Sequence, residues 1–231
     1  MTSMTFRYLF DPLCGWCYAS APALAALADR YGEQLQMMPS GLFLGSGSRP
    51  LAQIADHSTR YGKLIAEKTG QAYSDAYFRE LLRKPNGVFD SGPATFALVA
   101  LGEIDRSLEP RFLHAKQTAR YVHARDTSLP AEVTAVAVEV ASDAGFSLNA
   151  KKFERSLIED DTLAAKVCQR IATSGHLMDR LPVQGVPALV MTVDGNDRIL
   201  QGPTIYSGGP TLLAAIDEIL ASLPTHVNQE I

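Results

Sequence analysis

Two cysteines separated by two residues carry the clearest chemistry in this sequence. Cys14-Gly15-Trp16-Cys17 follows a short aromatic segment and begins a stretch with helical spacing. At the start of a helix, residues i and i+3 lie on one face about 5–6 Å apart, so two thiols can close a disulfide across one turn. Cys14 would lie at the first turn, where free N–H groups and the helix dipole favour a thiolate. The spacing predicts redox chemistry, with Cys14 as nucleophile and Cys17 as resolving thiol.

Two other interpretations of this pair compete with redox chemistry. A structural zinc site normally needs a second pair of ligands at similar spacing. The only other cysteine is Cys168, His176 follows it by eight residues, and no second C-x-x-C occurs, so we expect no metal. An inert buried pair is the other interpretation. We disfavour it because Asp11-Pro12 and the helix start should leave Cys14 exposed.

Cys168 is predicted to be a structural thiol instead. It falls in a segment with helical spacing together with Leu163, Val167 and Ile171, so we expect it to be buried. The five histidines are scattered along the chain, and we expect none of them to act as a ligand.

The elements around the cysteines form a strand–helix–strand pattern. Residues 6–10 are predicted to be a buried strand, residues 14–31 a helix with a kink near Tyr18 caused by Pro22, and residues 34–39 a second strand. Such a unit normally has parallel strands and a right-handed crossover. In this setting a C-x-x-C motif indicates a redox function.

The rest of the chain is predicted to be helical and then to return to strands. Helical periodicity recurs from Pro50 to about Asp179, with no strand pattern in between and a last helical segment at residues 162–173. Residues 188–193 and 198–200 flank an Asp-Gly turn and predict a hairpin, and residues 211–223 predict a final helix. We expect the polar tail, residues 224–231, to fray. The order is β-α-β, a helical block, then β-β-α.

Composition excludes several classes of protein. Apolar residues make up 46% of the 231, which is typical of a globular chain and not of a disordered one. A net charge of −4 gives no basic surface for nucleic acid. The sequence lacks a run of about 20 apolar residues for a membrane span and a cationic secretory leader. We therefore expect a cytoplasmic protein without nucleic-acid or membrane partners.

The order of elements and two motifs resemble a known family. Asp11-Pro12-Leu13-Cys14-Gly15-Trp16-Cys17 is similar to the D-P-x-C-x-W-C pattern of the FrnE-like branch of the DsbA family of thioredoxin-fold proteins. The Val186-Pro187 step before the hairpin matches that family's cis-proline loop. The resemblance implies that Pro187 faces the two cysteines and that Val186 presents backbone groups to an extended substrate. We add Trp16 to the predicted substrate surface.

From these observations we expect an α/β thioredoxin fold with a large all-helical insertion domain. The thioredoxin-like domain would comprise residues 1–48 and 180–231, and the insertion residues 49–179. The function would be thiol–disulfide exchange, catalysed by Cys14 and Cys17 on protein or peptide substrates, with no metal or organic cofactor. Glutathione or a thioredoxin-type protein would recycle the pair. Oxidase, reductase and isomerase directions all stay open.

Two rival functions share this architecture. Kappa-type glutathione transferases and hydroxychromene carboxylate isomerases have the same kind of insertion, but typically carry a serine at the position of Cys14 and lack Cys17. A non-catalytic peptide-binding module is the second rival. Because both cysteines are present, we favour redox chemistry. The Gly15-Trp16 dipeptide replaces the Pro-His of well-known periplasmic oxidants, and we expect a reduction potential in the reducing half of the family's range.

Overall fold

The computed structural model describes residues 3–223 and is built around a four-stranded sheet. The strands are β1 Met4–Phe10, β2 Leu35–Pro39, β3 Arg49–Pro50, β4 Val88–Phe89, β5 Ala188–Val193 and β6 Asn196–Leu200. The sheet order is β2-β1-β5-β6, with β1 parallel to β2 and antiparallel to β5. Helices cover both faces of β1, so Phe6, Leu9 and Phe10 are completely buried.

The register of β1 and β5 brings two distant segments together. Leu9 pairs with Ala188, so the end of β1 that leads to Cys14 lies beside the start of β5, directly after Pro187. The turn between β5 and β6 fixes the register in which these two strands pair. Asp194 and Gly195 both have positive φ, 47° and 81°, as a tight two-residue turn requires.

Ten α-helices complete the described part of the chain. They are α1 Gly15–Ala19, α2 Ala21–Tyr31, α3 Leu51–Thr69, α4 Gly92–Gly102, α5 Leu108–Tyr121, α6 Pro130–Asp143, α7 Ala150–Glu159, α8 Asp161–Arg180, α9 Pro203–Tyr206 and α10 Gly209–Ala221. The expected kink is a break at Ser20, where α1 ends and Pro22 occupies the first turn of α2.

The prediction of a thioredoxin fold with a helical insertion is confirmed. Within the insertion, the structure adds one feature that periodicity does not reveal, a ladder between β3 and β4 of two residues each. The helix α8 also continues past the expected end at Thr173 to Arg180 and packs against β2. The division at residues 48 and 180 stays a prediction.

No helix between residues 3 and 223 is both long and apolar enough to cross a membrane. The tail expected to fray, residues 224–231, lies outside the described residues.

Candidate functional site

Cys14 occupies the N-cap of α1, immediately after the turn that follows β1. Its backbone N–H donates to the carbonyl of Asp11 at 3.1 Å, and its own carbonyl accepts from the N–H groups of Cys17 and Tyr18 at 3.0 and 3.2 Å. Both cysteines are free thiols in this structure. The turn and the helix therefore place the two sulfurs on the same side of one helical turn, as the spacing predicts.

The two thiols differ in access to solvent. Cys14 is only 9% exposed, and Cys17 is fully buried. The expectation that the helix start leaves Cys14 exposed is wrong. The Val186–Pro187 loop covers it, and the Cys14 thiol donates to the Val186 carbonyl at 3.6 Å between Sγ and O. The Val186–Pro187 peptide bond is cis. Cys14 is therefore the more accessible of the two thiols.

Burial also separates the chemistry of the two cysteines. Desolvation raises the pKa of Cys17 well above its ordinary value, and the neighbouring Cys14 thiol raises it further. A backbone N–H of Asp11 acts in the opposite direction. Cys17 is therefore a protonated thiol at neutral pH, suited to the later of two exchange steps.

A buried carboxylate holds the turn before Cys14. One oxygen of Asp11 accepts from the Leu13 N–H at 2.8 Å, and the other accepts from the Phe43 N–H at 3.1 Å and the Ser91 hydroxyl at 2.9 Å. Asp11 is completely buried, and burial raises its pKa in spite of these donors. The side chain connects the turn to the loop after β2 and to the start of α4.

Two buried side chains of α5 contact the same turn. The Lys116 side-chain nitrogen lies 2.5 Å from the Pro12 carbonyl oxygen, and the Tyr121 hydroxyl donates to the Leu13 carbonyl at 2.7 Å. Sequence reasoning missed Lys116, Tyr121 and Asp11 as members of the site. A lysine and a tyrosine on a helix give no signal of where that helix packs, but the spacing of Asp11 before Cys14 could have drawn attention to it.

Aromatic rings form the walls around the motif. The ring of Trp16 lies 4.8 Å from that of Tyr206 in α9, centroid to centroid. Gly15 packs so closely against α3 that a Cβ there would lie 3.0 Å from Ile65 Cδ1 and 3.3 Å from the Tyr73 hydroxyl. These contacts leave room for glycine but not for a large side chain, and they narrow the approach to Cys14.

The remaining sequence predictions concern residues outside this site. Cys168 is exposed on α8, so the expected buried structural thiol is wrong. The apolar stripe of α8 passes through Leu163 and Val167 but does not include Cys168. Among residues 3–223, no group of three His, Cys, Asp or Glu side chains is placed to hold a metal ion.

A wide groove among the described residues lies away from the two cysteines. Its volume is about 1180 Å³, and α2, β2, α5 and the loop after α4 line it. Neither cysteine is part of its lining. The thiol chemistry expected from the sequence is therefore confined to the narrow Cys14 site and does not involve this groove.

Comparison with known proteins gives matches only among solved structures, because no family model and no curated protein matches the chain. The cytosolic disulfide reductase DsbM from Pseudomonas aeruginosa is 28% identical with a TM-score of 0.79, over 94% of this chain and 98% of its own. The same reductase with GSH is 28% identical with a TM-score of 0.75, over 94% and 99%.

More distant structures share the fold alone. A protein from Nitrosomonas europaea is 20% identical with a TM-score of 0.70, over 96% of this chain and 100% of its own. A 2-hydroxychromene-2-carboxylate isomerase is 16% identical with a TM-score of 0.51, over 94% and 95%.

Proposed function

We propose that the chain is a thiol–disulfide oxidoreductase of the FrnE-like branch of the DsbA family and that it works as a disulfide reductase through Cys14 and Cys17. One observation carries the assignment of roles. Cys14 is the partly accessible thiol, next to the Val186 carbonyl, whereas Cys17 is completely buried with a raised pKa. This asymmetry is what a nucleophile and a resolving thiol need.

The first step forms a mixed disulfide. The Cys14 thiolate attacks one sulfur of a substrate R–S–S–R′, a bond forms between Cys14 and R–S, and R′–S⁻ leaves and takes up a proton. In the second step, the Cys17 sulfur attacks Cys14 Sγ. The Cys14–Cys17 disulfide forms, and R–S⁻ leaves with the proton that Cys17 releases. Two electrons have then passed from the enzyme to the substrate.

Val186, Pro187 and Trp16 are proposed to hold the substrate. The Val186 carbonyl lies within 3.6 Å of Cys14 Sγ, so a chain that pairs with the backbone there has its own sulfur close to the thiol. Main-chain pairing of this kind accepts many sequences, because side chains contribute selectivity but not the basic contact. Trp16 and Tyr206 supply an apolar wall beside it.

Glutathione is the proposed electron source. Two glutathione molecules return the two electrons to the Cys14–Cys17 disulfide and leave as glutathione disulfide, so no metal or organic cofactor is needed. The similarity to DsbM, a disulfide reductase that has also been solved with GSH, supports this choice. A narrow approach to Cys14 also suits a small thiol.

The test is reduction of insulin disulfides by glutathione, with and without the protein. Wild type should accelerate the reaction, Cys14→Ser should abolish the acceleration, and Cys17→Ser should accumulate a mixed disulfide at Cys14. Cys168→Ser is the matched control, because this thiol is exposed and outside the site, and it should keep full activity. A transferase, an isomerase or a binding module would give no turnover that depends on Cys14, and that result would refute the proposal.

A further inference from the structure

We infer that α5 acts on the nucleophile through the backbone of the preceding two residues, and that Lys116 and Tyr121 are positioning residues for Cys14. The inference rests on the proposed thiol–disulfide function and extends it to the insertion. In this view the insertion does more than cover the site, because its side chains set how readily Cys14 reacts.

The contacts form a short series along the chain. Lys116 donates to the Pro12 carbonyl at 2.5 Å and Tyr121 to the Leu13 carbonyl at 2.7 Å. The next residue is Cys14 itself. Tyr121 is five positions after Lys116 on α5, so one helix supplies both donors. Each of the two carbonyls directly before the nucleophile therefore has a side-chain partner from the insertion.

Burial makes these partners hard to replace. Lys116 is completely buried and Tyr121 is 1% exposed, while Pro12 and Leu13 are also buried. A carbonyl that loses its donor in such surroundings has no bulk water to take the donor's place. Its partial negative charge then acts without compensation on neighbouring groups, more strongly than it would in solvent.

The next residue along the chain, Cys14, carries the group that changes charge in the proposed reaction. An uncompensated carbonyl oxygen one residue away disfavours the thiolate anion. The Tyr121 hydroxyl and the Lys116 amine neutralise the two oxygens and keep the turn in one geometry. They therefore favour the thiolate form of Cys14, and with it the reduced state of the cysteine pair.

Tyr121→Phe tests this directly, because it removes one hydroxyl and keeps the ring that stacks on Tyr18 at 4.8 Å. In a Cys168→Ser background, we expect iodoacetamide to alkylate Cys14 at neutral pH about threefold to tenfold more slowly, the effect of losing one hydrogen bond. We expect the equilibrium with glutathione to shift toward the Cys14–Cys17 disulfide by a similar factor.

Tyr77→Phe is the matched control. Tyr77 belongs to the same buried cluster, with its ring 5.1 Å from that of Tyr121, but its hydroxyl lies by Arg120 and not by the turn. Both variants lose one buried hydroxyl, and only Tyr121→Phe should change the alkylation rate and the glutathione equilibrium. Equal changes in the two variants would show a general loss of packing and overturn the inference.

Lys116→Met provides a second test if Tyr121→Phe loses its cooperative thermal unfolding. It removes the donor to Pro12, and Cys14 should again be alkylated more slowly. Wild-type rates in a folded variant would overturn the inference. The alkylation needs no disulfide substrate, so its outcome is independent of the insulin assay. If insulin turnover fails but Tyr121→Phe still slows alkylation, only the proposed function is lost.

Discussion

Cys14 and Cys17 have the same side chain but very different surroundings. The helical turn gives them a common face, and the Val186 loop on one side and the sheet on the other decide which thiol a substrate reaches. Burial raises the pKa of the Cys17 thiol well above its ordinary value. In the proposed mechanism, the order of the two exchange steps therefore follows from solvent access, with no need for a difference in residue type.

The two residues between the cysteines predict the reduction potential. Gly15 and Trp16 provide no side-chain counterpart to the histidine of the periplasmic oxidants, so one donor to the Cys14 thiolate is missing and the reduced form is less stabilised. We expect a potential between about −270 and −200 mV, in the range of thioredoxin and glutaredoxins and not near the −120 mV of DsbA. Titration of the cysteine pair against glutathione measures it, and a value near −120 mV would contradict the argument.

At the level of elements, helices α4, α5 and α8 meet in a closely packed contact, called here the α4–α5–α8 junction. Glu109 of α5 is buried and forms a two-pronged ion pair with Arg170 of α8, at 2.8 and 2.7 Å. Arg170 also donates to the Met37 carbonyl of β2, so the pair ties the insertion to the sheet. Burial raises the pKa of Glu109, and Arg170 opposes this shift.

Gly102, the last residue of α4, gives a prediction for this junction. A Cβ there would lie 1.9 Å from a carboxylate oxygen of Glu109, so Gly102→Ala must displace the side chain that holds Arg170. We expect it to lower the free energy of unfolding by about 1–3 kcal/mol, the usual effect of overpacking. Denaturant unfolding provides the measurement.

Gly175→Ala is the control for that experiment. Gly175 lies within α8, and a Cβ there would meet no side chain or neighbouring element within 4 Å in the described part of the chain. Alanine should therefore stabilise the protein by about 0.5–1 kcal/mol through helix propensity. If Gly102→Ala were also stabilising, Glu109 would have room to move and the junction would not be tight.

Much of the architecture could be predicted because its signals are local. The Asp194-Gly195 turn, the break caused by Pro22 and the strand ending at Asp11-Pro12 each follow from backbone preferences of a few residues. Strands of two residues, such as β3 and β4, are too short to show a period of two. Lys116 and Tyr121 contact the turn before Cys14 across about a hundred positions of sequence, and no local pattern encodes such a contact.

On the scale of the whole molecule, buried ionisable groups make stability depend on pH. Lys116 is the clearest case. Burial lowers its pKa well below the ordinary value of 10.5, and the positive charge of Arg120 adds to the effect. Between the lowered and the ordinary value, the unfolded chain binds a proton at Lys116 that the folded protein does not. The stability cost of burying Lys116 therefore shrinks as the pH rises toward 10.5.

Lys116→Met isolates this contribution. We expect the difference in unfolding free energy between wild type and Lys116→Met to move in favour of wild type between pH 7 and about pH 9.5. The change should approach about 1.4 kcal/mol for each pH unit in which only the unfolded chain is protonated. Urea unfolding of both proteins at the two pH values measures it. A constant difference would mean that Lys116 keeps an ordinary pKa in the folded protein.

The chain carries its reactive cysteines early and the groups that enclose them late. Lys116 follows its partner Pro12 by 104 positions, and Val186 follows Cys14 by 172. Because synthesis proceeds from the N-terminus, both thiols leave the ribosome well before α5 or β5 exists. During synthesis both thiols are therefore exposed for an interval, which ends when β5 pairs with β1.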